Sequence, residues 1–335
     1  MKAFVKGYPI LFASWCLTLV AMLTITGYGG ALAQEWRPTD TVEIIVPDNP
    51  GGTNDRLCRL AQSILQNDKL VETPVTVVNK PGGSGNVSLS YLATKEGNAH
   101  YIRASSITLQ LVQITGLSPY RYSDFTPLAQ TIDDYVAFAV GADSNIKTGK
   151  DLLERLKKDP ASLSLGTTAI GGSNHIPLFL VAKSVGADAK KVRTPVFKSS
   201  GEALIALLGG HINLLISSMT TVPPYVQAGT VRVLAVSSGK RYGGVLAQVP
   251  TWKELGVDCE FSTWYGFIGP KGLTAAQVTF WDDRLAKMLA SAKWKAAVEQ
   301  NFWIGTSRNS KEFKAYLDQT DPPLRAVLTD LGLAK

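Results

Sequence analysis

Histidine and cysteine are scarce, with three of each in 335 residues. His100, His175 and His211 fall in no HExxH arrangement, no two cysteines stand as CxxC, and no acidic cluster has metal-ligand spacing. A metal site is therefore not expected, and no cofactor is implied. No G-x-x-x-x-G-K occurs, and Gly83-Ser84-Gly85 lacks the third glycine of a dinucleotide fingerprint. Gly82-Gly83-Ser84-Gly85-Asn86 begins like a nucleophile elbow, but Asn86 stands where G-x-S-x-G needs its last glycine. A secreted hydrolase is thus the least favoured function, and no catalytic residue is assigned. Lys and Arg number 34 against 27 Asp and Glu, yet they form no basic run, which removes nucleic-acid binding. Repeats, low-complexity tracts and a flexible linker are also missing, so two domains, if present, are joined by structured crossings.

The first 33 residues are set aside from fold reasoning. Lys2 and Lys6 precede an apolar run that ends in Ala31-Leu32-Ala33, the order of a secretory signal with small residues at the cleavage site. A retained membrane anchor is the alternative, and a lipid anchor at Cys16 is disfavoured by the bulky Trp15 before it. Cleavage after Ala33 removes two lysines and no acid, taking the formal net charge from +7 to +5. Cys58 and Cys259 then remain in an oxidising compartment, either bridged or, as the favoured reading, as two buried thiols.

What is abundant is a repeated unit of strand, polar glycine loop and helix. Val42, Ile44, Ile45 and Val46 form a strand stopped by Pro47 and Pro50-Gly51-Gly52, and Leu57, Leu60, Ala61, Ile64 and Leu65 recur at helical spacing. Asn54 or Asp55 can cap that helix, whose first amides and dipole favour an anion. The pattern returns at residues 75–78 with Asn79-Lys80-Pro81-Gly82, at 101–104 with Ser105-Ser106, and at 162–165 with the loop from Gly166 to His175. Residues 193–197 are expected as a strand before a helix with Ser199 and Glu202 at capping-box spacing. Residues 212–216 and 231–236 end in Ser217-Ser218 and Ser237-Ser238. Strands at 135–140 and 263–268 are the candidate crossings between two halves. This is the signature of an α/β protein with its site at strand C-terminal ends. Several neutral loops converging on one cleft can hold a carboxylate with no catalytic base, which suits a receptor that releases its ligand unchanged.

The ordered motifs carry a family resemblance. Val46-Pro47, Pro50-Gly51-Gly52 and Asp55 are followed by Asn79-Lys80-Pro81-Gly82, Gly85-Asn86 and the loop from Gly166 to His175. Gly201 to Asn213, Ala235 to Arg241, Val249-Pro250-Thr251 and Trp264-Tyr265-Gly266 complete the series. Together they resemble the Bug, or TctC-like, extracytoplasmic solute-binding proteins of tripartite tricarboxylate transporters. The resemblance implies a type II periplasmic-binding-protein fold, α/β in class, with two lobes joined by two crossing strands and the ligand cleft between them. Residues 34–132 and 265–335 would form lobe 1, and 133–264 lobe 2.

Carried over by position, the ligand-binding residues of lobe 1 would be Pro50, Gly51, Gly52, Thr53, Asn54, Asp55, Ser105 and Ser106. Those of lobe 2 would be Thr168, Ser173, Asn174, His175, Lys198, Ser199, Ser200, Ser217 and Ser218. His175 reads equally as a helix neighbour, and Trp264 and Tyr265 read as packing at a crossing strand. The resemblance implies a monomeric periplasmic receptor that binds a di- or tricarboxylate, an aromatic carboxylate or an amino acid and passes it to membrane transporter subunits. The alternative is a receptor of the same fold that acts in sensing without a transporter. Asp48, Thr53 and Asn213 depart from the family pattern. Asp48 would tune the ligand, by repelling a second carboxylate or pairing with an amino group.

Overall fold

The computed structural model describes residues 35–335, so the signal-type segment lies outside the described residues. In chain order the elements begin with β1 (Val42–Val46), α1 (Thr53–Asn67), β2 (Val75–Asn79), α2 (Asn86–Ala93), β3 (Tyr101–Ser106) and α3 (Thr108–Ile114). The 16-residue β4 (Thr126–Gly141) follows, then α4 (Gly149–Lys158), β5 (Leu165–Gly166), α5 (Ile176–Ser184), α6 (Ser200–Leu208) and β6 (Leu214–Ser218). The chain ends with α7 (Pro223–Gln227), β7 (Val231–Val236), β8 (Ser262–Gly269), α8 (Ala275–Ala290), α9 (Ala292–Gln300), β9 (Ile304–Arg308) and α10 (Ser310–Asp330).

Val and Ile bury β1 at every position but Glu43, and it pairs in parallel with both β2 (Ile44 opposite Val77) and β3 (Ile44 opposite Ile102). Parallel pairing sets the glycine loops after β1 and β2 and the Ser105-Ser106 end of β3 on one edge of the sheet. The sheet runs β2-β1-β3-β8-β4-β6-β5, with β7 and β9 also on β4. The first part of β4 pairs with β8 and β9, and the second, from Val136, pairs with β6 and β7. One strand therefore carries the chain from one half-sheet into the other.

Period-two alternation along β4 feeds separate cores. Val136, Phe138 and Val140 pack with Leu152, Leu178 and Trp252, whereas Ala137 and Ala139 pack with Leu204, Leu207 and Leu215 on the other face. A third core gathers Ile45, Leu89, Trp264, Ile268, Phe313 and Leu317 around the first half-sheet. The Trp264 indole donates to Gln110 Oε1 at 3.0 Å and meets Phe313 edge-on at 5.2 Å, so it is packing at the crossing. Cys58 and Cys259 are free and buried, and burial pushes both thiols up, Cys259 to about 12.

Two expectations are corrected. Residues 193–197 form only isolated bridges, Ser164 to Arg193 and Thr167 to Val196, because Pro195 offers no N–H and Val196 faces solvent. The crossing strand begins at Thr126 rather than 135, since the buried polar side chains of residues 130–134 hid its apolar alternation.

Candidate functional site

The loop between β1 and α1 is held by Asp55. Gly52 is the N-cap of α1 and no side chain caps it, contrary to the expected role of Asn54 or Asp55. Asp55 instead reaches back, accepting from the Gly51 amide at 2.9 Å, from Asn79 Nδ2 at 2.9 Å and from Arg59 Nε at 3.0 Å. Asn79 also donates to the Asp48 carbonyl at 3.0 Å, tying this loop to the end of β2. Burial alone would raise the Asp55 carboxyl, but the hydrogen bonds from Arg59, Gly51 and Asn79 outweigh it and hold the group at about 2. The folded value lies below the unfolded one, so this stabilisation is complete above about pH 4 and is lost as pH falls toward 2. Asp55→Asn is expected to lose about 2 kcal/mol at pH 7, with the deficit shrinking in acid. Urea unfolding at pH 7 and pH 3 reads this, and a deficit that does not depend on pH would refute it.

Behind the loop lies a cavity of about 370 Å³, bounded by Asp48, Asn54, the 81–85 turn, Arg103 and Ser105-Ser106, with α3 closing it. Arg103 was not expected here. It is 4% exposed, and its guanidinium donates only to neutral groups: Ser88 Oγ (2.9 Å), the Ala104 carbonyl (3.0 Å), Ser105 Oγ (3.3 Å) and the Gly85 carbonyl (3.4 Å). Among the described residues it forms no ion pair. Burial pulls its pKa down to about 10, opposed chiefly by the charge of Asp48. The 82–85 turn is strained, with all four residues at positive φ and non-glycine Ser84 at +54°. Gly85 is required: a Cβ there would meet Arg103 Nη2 at 3.0 Å, and its φ is +94°.

The strand ends of both halves meet at the crossing pair. Ser106 pairs with Tyr265 of β8, and Ser218 of β6 pairs with Val136 of β4, two residues from Asp134. Ser218 Oγ donates to Asp134 Oδ2 at 2.6 Å, while Asp134 Oδ1 and Ser217 Oγ are buried without a partner. Thr53 at the start of α1 lies close enough to the Tyr265 phenol to oppose the rise that burial imposes on it, which sets the first loop over the same floor. Burial raises Asp134 to about 7, with Ser218 and the Met219 amide pulling the other way.

The remaining second-half residues lie elsewhere. None of them lines the 370 Å³ cavity. Ser199 caps α6, accepting from the Glu202 amide at 3.2 Å, and Lys198 and Thr168 are exposed. Ser173, Asn174 and Ser200 are half-buried. His175 accepts from the Gly171 amide at 3.0 Å through Nδ1, is lowered by burial, and faces a pocket formed with Leu331 and Leu333. Asn213 braces the second half by bonding the Ser164 amide and the Ser162 carbonyl, at 2.8 and 3.0 Å. A second cavity, of about 410 Å³, lies where β4 and β8 meet α3, α5 and α10, and holds Asp133, Arg308 and Tyr316.

Half-sheets of α/β build, spanned by a long crossing strand and with polar strand-end loops facing the crossing, define a type II periplasmic binding protein. Comparison with known proteins carries this further. The family model described as the tripartite tricarboxylate transporter family receptor, TctC, matches residues 58–314. The protein BugT of Bordetella pertussis is 27% identical over 285 residues, covering 83% of this chain and 84% of that protein. A TctC solute-binding protein from Polaromonas superposes with a TM-score of 0.75 at 25% identity, over 88% of this chain and 99% of that one. An R. palustris protein solved with adipate gives a TM-score of 0.76 at 24% identity, over 89% and 99%. The chain belongs to the TctC family, which is one of solute-binding receptors and not of enzymes.

Proposed function

We propose that this chain is a periplasmic receptor that binds a small carboxylated organic anion and delivers it to a tripartite membrane transporter. The observation that carries the reading is the meeting of strand ends from both halves at Asp134 and Tyr265, beside a cavity with a buried guanidinium that forms no ion pair among the described residues. An unpaired buried cation is costly, and an anionic ligand removes that cost. The adipate bound to the R. palustris relative supports the same ligand class. Residues 34–132 with 265–335, and residues 133–264, act as the two lobes of a monomer. A ligand held on the Pro50 to Asn54 loop and on Ser105-Ser106 draws the second lobe toward it, bringing Thr168, Ser173, Asn174, Lys198 and Ser217 to its other side. Closure follows from differential affinity of the ligand for the closed state, with no bond made or broken.

A thermal-shift screen of mono-, di- and tricarboxylates, aromatic acids and amino acids tests this. A ligand at a hundredfold excess over its Kd is expected to stabilise the chain by about 2.7 kcal/mol. Silence across every anion would overturn the reading.

A further inference from the structure

The lining of the cavity behind the first loop carries two opposite charges. One is Arg103, whose five N–H donors have four neutral acceptors, two of them at 3.3 and 3.4 Å, so Nη2 keeps a donor for the cavity. Ser105 and Ser106, nine-tenths buried, stand beside it. The other is Asp48, which accepts from Asn54 Nδ2 at 2.7 Å through Oδ2 and forms no ion pair among the described residues. Donation from the amide to that carboxylate fixes Asn54 with Oδ1 as its remaining polar atom. Oδ1 is buried, has no hydrogen-bond partner, and belongs to a residue only 4% exposed that lines the same cavity.

A plain dicarboxylate suits only half of this arrangement. Its first carboxylate satisfies Arg103, but a second acid beside Asp48 sets like charges together, and an apolar group there leaves Asn54 Oδ1 unpaired. An ammonium donates to both Asp48 and Asn54 Oδ1 and pairs with the carboxylate. We propose that this cavity selects a solute bearing both a carboxylate and a primary ammonium on one small skeleton, the carboxylate on Arg103 with the Ser105-Ser106 hydroxyls and the ammonium on Asp48 and Asn54. The specificity rests on the receptor function proposed above and narrows it to amino acids over their deamino counterparts.

The test uses the mature chain and isothermal titration with matched pairs: alanine and propionate, glutamate and glutarate, phenylalanine and 3-phenylpropionate. The amino member of at least one pair is expected to bind tenfold or more tightly than its partner. Asp48→Asn should erase that preference while retaining the melting temperature, and Arg103→Met should weaken both members. Binding of the deamino acids as tight as that of the amino acids would overturn the zwitterion specificity and leave the carboxylate receptor standing. Amino preference that survives Asp48→Asn would overturn the role of Asp48. Absence of binding by every compound of both kinds would overturn the receptor reading together with this one.

Discussion

Gly266→Ala is expected to cost at least about 3 kcal/mol and to blunt any ligand-induced stabilisation. Gly266 lies in β8 between two partners, Ser105 on β3 and Gln130 on β4. A Cβ at this position would stand 2.3 Å from the Ala129 carbonyl oxygen, 3.1 Å from Gln130 Cα and 3.2 Å from the Ala129 carbonyl carbon. These are backbone atoms, so no rotamer change relieves the clash. β4 is bulged between Gln130 and Ile132, which disrupts its register with β8 at this point. Relief therefore requires moving a crossing strand, and with it the Ser105-Ser106 and Asp134 floor of the cleft. Gly305→Ala is the control: it lies in β9, is exposed, and an added Cβ meets only Val298 Cγ1 at 3.6 Å. Urea unfolding should show a lowered midpoint at unchanged slope for Gly266→Ala and little change for Gly305→Ala. A Gly266→Ala chain within about 1 kcal/mol of wild type would remove this account of the Trp-Tyr-Gly motif.

The parts of the fold legible in the sequence were those with local causes. β1 and α1 followed from an apolar run, a proline and glycine stop and helical spacing, and Ser199 caps α6 through the Glu202 amide as its spacing requires. What escaped reading depends on partners far along the chain. Residues 130–134 look like a solvated turn, yet Asp133 accepts from Ser262 and Asp134 Oδ2 from Ser218, 129 and 84 residues away. Arg103 between Ile102 and Ala104 reads as the outward residue of a half-buried strand. Only the placement of Gly85 and Ser88 from a different unit makes it a cavity wall. The site residues divide the same way. Asp48, Asn54, Ser105 and Ser106 meet around one cavity because parallel strands align their C-terminal ends. Ser199 and Asp55, in contrast, spend their side chains on local amides, as short polar residues at helix starts commonly do.

The charge of Asp134 should make stability fall as pH rises from about 4 to about 7. Asp134 is 2% exposed and has one hydroxyl donor, Ser218, on Oδ2, while Oδ1 has none. The groups facing it are Asp133, which raises it further, Arg56, which opposes, and the phenols of Tyr242 and Tyr265. Burial dominates and places the folded-state value at about 7, against about 3.9 for an unfolded aspartate. The sign follows from proton counts: between those values the folded state holds the proton and the unfolded state has lost it, so each rise in pH favours unfolding. Below about pH 4 both states are protonated and no penalty exists, and above about pH 7 the penalty is complete. About three pH units of separation correspond to about 4 kcal/mol. Asp134→Asn keeps the size of the side chain and cannot ionise, so it should match wild type near pH 4 and exceed it by a few kcal/mol at pH 8. The difference between the two chains isolates this carboxyl from every other titrating group. Parallel stability curves from pH 4 to pH 8 would show that Asp134 is already ionised in the folded protein and would overturn this account. A wild-type curve that converges on that of the Asp134→Asn chain in acid and drops away toward pH 8 would instead establish a cleft floor that becomes charged near neutral pH, where a bound cationic group would relieve the penalty.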